Sequence, residues 1–133
     1  MSLEAELVIR LLVATGLGAA IGYQRERAGR PAGLRTHILI ALGSALFTVI
    51  SLFGFIPTAD ASRVAAGVVA GIGFIGAGAI FHRNGDIVIG LTTAATIWVV
   101  AAIGLACGAG MFLVAGATTG ITLGILFLPR HIR

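Results

Sequence analysis

The chain reads as an all-α polytopic membrane protein with five transmembrane helices, and three observations carry that reading. Of its 133 residues, 58% are hydrophobic and only 11% are charged, more apolar side chain than a soluble core of this size can hide. The charges collect between apolar runs that, at about 1.5 Å per residue, cross or nearly cross a hydrocarbon layer of roughly 30 Å. The 20 glycines fall largely inside those runs. Glycine weakens a helix in water, whereas in lipid it lets neighbouring helices approach closely.

The first span runs from about Leu7 to Tyr23 and contains Arg10, one turn inside and expected to snorkel to the headgroups. Gly18 and Gly22 form a GxxxG pair near its far end. The loop QRERAGRPAGLR follows with Arg25, Arg27, Arg30 and Arg35, and Pro31 opposes a helix through its middle. A second span, His37 to about Phe55, leads to the turn IPTADASR. The third, Val64 to Phe81, carries Gly67, Gly71, Gly73, Gly76 and Gly78 and is expected to be the central, most tightly surrounded helix. The HRNGD turn leads to a fourth span, Ile87 to about Ala106. A fifth, Met111 to Leu128, has Gly116, Gly120 and Gly124 at intervals of four.

Five spans place the termini on opposite sides. One side then holds Arg25, Arg27, Arg30, Arg35, Arg83, Arg130 and Arg133, and the other only Arg10 and Arg63. By the positive-inside rule the N-terminus is outside and the C-terminus cytoplasmic. Residues 1–133 read as a single transmembrane domain with no soluble C-terminal domain and no signal peptide, since Glu4 and Glu6 occupy the place of a positive leading segment.

A faint repeat appears at an offset of 57: Gly33, Leu34, Thr36, Ile40 and Ala45 recur as Gly90, Leu91, Thr93, Ile97 and Ala102. Spans one and two would then be duplicated in parallel as spans three and four.

AGLRTHILIALGSALF (32–47), RVAAGVVAGIGFIGAGAIF (63–81) and GLTTAATIWVVAAIG (90–104) resemble, in order, the three signature blocks of the MgtC/SapB family of bacterial inner-membrane proteins. The resemblance implies a multi-pass inner-membrane domain linked to growth under low magnesium and to virulence-type adaptation, and it does not imply an enzyme. The family's Gly-x-Glu-Arg-Glu after the first span is met here by Gly22, Tyr23, Gln24, Arg25 and Glu26, with glutamine in place of the first acid.

The candidate site lies at the Arg-rich mouth: Arg25, Glu26, Arg35, Thr36 and His37 from one re-entry, Asp86, Thr92 and Thr93 from the other. Glu26, the only carboxylate among four arginines, is expected to pair with Arg30 or Arg35, although a solvated counter-charge is the simpler reading. Arg35 is expected to be held by Glu26, Asp86 or helix carbonyls. For His37 a headgroup or backbone hydrogen bond outweighs a proton-sensing role. Arg63 and Trp98 are secondary candidates: Arg63 as a topological anchor ahead of an anion binder or partner of Asp60, Trp98 as an aromatic in a small-residue interior. Thr96 is expected to bond back to its own helix.

Nine arginines without a basic face exclude nucleic acid. Cys107 reads as a small packing residue. No catalytic motif or carboxylate pair is present, and the spans offer no carboxylates for a dehydrated magnesium ion, so neither enzyme, metal site nor cofactor is expected. The expected partners are membrane lipids, a second copy in a homodimer and another integral membrane protein. The competing class is a small-solute or ion transporter with its site at the Arg-rich vestibule.

Overall fold

A computed structural model describes residues 2–56, 58–81 and 87–128. They form five helices: α1 (Leu3–Arg27), α2 (Leu34–Phe53), α3 (Ser62–Phe81), α4 (Ile87–Gly108) and α5 (Phe112–Leu126). The first four are long and apolar enough to cross a membrane. With 15 residues, α5 reaches only about 22 Å. It is shorter than the expected Met111–Leu128 because Met111 already has non-helical angles and Phe127 closes the helix, two residues before Pro129.

Local chemistry sets the helix ends. Ser2 caps α1 by accepting the Ala5 N–H at 3.2 Å. Glu4 and Glu6 in its first turn and Arg25 and Arg27 in its last match the helix dipole. Gly29, at φ +72°, and Gly110, at φ +81°, supply the left-handed residues that turn the chain after α1 and α4. At the turn before α3, the Asp60 carboxylate accepts from the Ser62 N–H at 3.0 Å and hydroxyl at 2.7 Å. These bonds hold its pKa below the ordinary carboxylate value.

The packing corrects one expectation. The hub is α4, which touches every other helix, whereas α3 touches only α4 and α2. A methyl group added to Gly67, Gly71, Gly73 or Gly78 would meet nothing within 4 Å, and of the third span's glycines so tested only Gly76 nears a neighbour, Ala94 on α4. The glycine density of α3 therefore marks an open face.

Close helix contact is made by two other glycine pairs. Gly18 and Gly22 of α1 lie against Ala41, His37 and Leu34 of α2. Gly104 and Gly108 of α4 lie against the Ala41 and Ala45 carbonyls of α2, with Thr48 also at Gly108. Around these contacts the core collects Ala14, Ile21, Ala41, Ala45, Val100, Ile103, Cys107 and Ala115. Ile72 joins Ile97 and Ala101 in a smaller cluster that holds α3 to α4.

Ser44 of α2 donates to the Ala101 carbonyl of α4 at 2.6 Å. These two residues are 57 apart, the offset of the sequence repeat, so α2 and α4 meet at corresponding positions.

Arg10 ties α1 to α4. Its Nη1 donates to the Gly108 carbonyl at 2.9 Å, at the C-terminal end of α4, its Nη2 pairs with Glu6 at 3.3 Å, and the guanidinium lies 5.2 Å from the Phe53 ring centroid. The carbonyls ending α4 are suited to hold a cation there.

Candidate functional site

The Arg-rich end of the bundle is organised by α1 lying close on α2. Because Gly22 has no side chain, the backbone at Leu34 and the Cβ of His37 come against α1, and Arg25 sits one turn further along the same face. From there the Arg25 side chain passes inward, 2% exposed, and its Nη2 donates to Thr93 Oγ1 on α4 at 3.1 Å.

This buried guanidinium makes no ion pair among the described residues, and its Nε has no hydrogen-bond partner there. His37 is fully buried, and its Nδ1 lies 2.8 Å from the Gly33 carbonyl. A carbonyl only accepts, so the proton is on Nδ1, and Nε2 is left without a partner among the described residues, as is Gln24 Oε1. Three buried polar atoms with spare capacity, on Gln24, Arg25 and His37, thus lie at one end of the molecule. Such groups are costly in an apolar interior unless something meets them.

The expected cluster is therefore brought together only in part. Arg25, His37 and Thr93 converge. Glu26 pairs with neither Arg30 nor Arg35: its Oε1 accepts the Leu34 N–H at 3.1 Å and caps the start of α2. A side chain at Gly33 would collide with that carboxylate, and an N-terminal N–H with the helix dipole outweighs a solvated arginine as a partner.

Among the described residues no carboxylate or carbonyl holds Arg35, which is exposed on α2, while Thr36 is half-buried. Thr92 is also half-buried and lends its carbonyl to Thr96 Oγ1 at 2.8 Å, as expected for Thr96. Thr93 thus faces Arg25. Asp86 lies outside the described residues.

Of the secondary candidates, Arg63 is exposed and makes no ion pair with Asp60, whose carboxylate is taken by Ser62. Trp98 is 57% exposed on the outside of α4 and not packed in its interior, because the inward face of that helix is filled by Ile97, Val100 and Ala101.

Sequence reasoning missed Arg10 as a tie between helices and Gly104–Gly108 as the close-contact pair of α4. The GxxxG spacing of that pair was the available signal.

The fold and this site define a multi-pass helical membrane domain, joined by small-residue contacts, with a buried arginine at one end. The chain belongs to the MgtC family, whose model matches residues 11–133. It is 53% identical over 117 residues to the putative magnesium transporter YhiD of Escherichia coli K12, covering 83% of this chain and 54% of that protein. It is 47% identical over 116 residues to protein MgtC of Brucella abortus, covering 86% and 47%. To protein SapB of Bacillus subtilis it is 37% identical over 139 residues, covering 98% and 60%. The chain thus spans about half the length of these relatives. No solved structure matches it.

Proposed function

We propose that this domain serves bacterial growth under magnesium limitation, and the virulence-type adaptation linked to it, as a non-catalytic inner-membrane module that binds other membrane proteins or a second copy of itself. One observation supports this reading above the alternative: the described interior offers a dehydrated ion little to bind. The buried hydroxyls of Thr48, Thr96, Thr119 and Thr122 each donate to a carbonyl of their own helix, and Ser44 donates to α4. In addition, α3 is continuous from Ser62 to Phe81, without the broken half-helices that expose carbonyls at the midplane of transporters.

Outward small-residue faces favour association. A methyl added to Gly116, Gly120 or Gly124 on α5 meets nothing within 4 Å, which leaves that row open to a second copy in a homodimer. The arginine imbalance supports an orientation with the N-terminus outside and the Arg-rich end in the cytoplasm. Reporter fusions after Gly29 and after Asp60 should then report cytoplasm and exterior, respectively.

Transport is the second reading. It is favoured by the spare polar capacity of Arg25 and His37 at the Arg-rich vestibule and by the name of the Escherichia coli relative. Liposomes holding the pure protein and a magnesium-sensitive dye separate the two. The module reading expects no magnesium entry above that of empty vesicles, and protein-dependent entry overturns it.

A further inference from the structure

Between α2 and α3 lies a lateral cleft of about 650 Å³, away from the Arg25 site. Leu39, Gly43 and Phe47 line it on α2, and Gly67, Gly71 and Ile75 on α3. A methyl group added to Gly43, Gly67 or Gly71 meets nothing within 4 Å, so these glycines open the cleft instead of joining the helices. The polar group at its floor, the Ser44 hydroxyl, is already bonded to Ala101. Only something apolar suits such a lining.

We propose that this cleft holds acyl chain of an anionic phospholipid whose phosphate is bound by Arg35. Positions 35, 39, 43 and 47 fall on one stripe of α2, four residues apart, so the arginine stands at the end of the row that lines the cleft. It is exposed and makes no ion pair among the described residues. From Arg35 to Phe47 the helix rises about 18 Å, matching a headgroup followed by one leaflet of about 15 Å of hydrocarbon.

The chemistry of the row favours a lipid: apolar along the cleft and cationic at one end, it matches an acyl chain and a phosphate together. The cleft opens sideways, and hydrocarbon chains, whose carbons approach to about 3.5–4.0 Å, can lie along it. The planar fork of Arg35 suits phosphate, and its charge favours an anionic lipid over a zwitterionic one. The inference needs the chain to span a membrane but is independent of whether it transports anything.

The test is native mass spectrometry of the full chain in mild detergent, exchanged with equimolar phosphatidylglycerol and phosphatidylcholine. Wild type should keep phosphatidylglycerol in preference, and Arg35→Gln should lower that preference about fivefold while still retaining lipid. Filling the cleft with Gly43→Leu and Gly71→Leu should remove both lipids. Equal retention of the two lipids by wild type, or an unchanged preference in the well-exposed Arg35→Gln variant, overturns the proposal. A dimer that dissociates when the cleft is filled also overturns it, in favour of a second copy as occupant.

Discussion

Arg25, in the last turn of α1, donates to the hydroxyl of Thr93 on α4, 68 residues further along the chain and 3.1 Å away. Removing the hydroxyl leaves a buried guanidinium with less to bond, whereas removing both groups leaves neither unsatisfied. Thr93→Val should therefore cost about 1–3 kcal/mol, and Arg25→Met combined with Thr93→Val less than the sum of the single changes. Denaturant unfolding in detergent measures the cycle, and strict additivity would mean that the two residues act independently.

The same arginine should matter to the cell more than the exposed one at the other end. At matched protein levels, Arg25→Gln is expected to abolish growth under magnesium limitation, whereas Arg63→Ala is expected to retain it. Loss with Arg63→Ala alone would move the working side to the opposite face of the membrane.

Gly104 and Gly116 make a paired test of packing. A methyl at position 104 would run into the Ala41 carbonyl, whereas one at 116 meets nothing. Gly104→Ala should lower unfolding stability by about 1–3 kcal/mol, as overpacking does, and Gly116→Ala should leave the isolated chain unchanged. Thermal unfolding in detergent ranks the two.

Asp60 gives a pH dependence with a definite sign. Ser62 hydrogen bonds stabilise its charged form and depress its folded pKa, so its contribution is full above the ordinary carboxylate range and is lost as pH falls through the depressed value. Carbon NMR of the Asp60 carboxylate should titrate below an unfolded reference, and Ser62→Ala should move the midpoint back up.

The five helices and their order were legible because hydropathy and punctuation by Arg, Pro and Gly are local signals. Which helix is central was not. Glycine density pointed to α3, but a glycine reads the same in sequence whether a neighbour's backbone or lipid lies against it. Gly104 meets the Ala41 backbone, whereas Gly67 meets nothing within 4 Å.

The candidate site was legible to the extent that charge marks an end of the bundle. Arg25, His37 and Thr93 were found by residue type and position. The roles of Glu26 and Arg35 were not, because one caps a helix begun eight residues later and the other turns outward, and both depend on the α1–α2 crossing set by Gly18 and Gly22.

The contact of Arg10 with the Gly108 carbonyl has a mechanical consequence. Fifteen residues separate Arg10 from Arg25, and fifteen separate Thr93 from Gly108, so α1 and α4 are bolted together by two rungs about 22 Å apart. A sliding or pivoting stroke between these helices would have to break a rung at one end or both. Because the close glycine contacts also hold α2 against both, movement in this domain is left to α3 and α5.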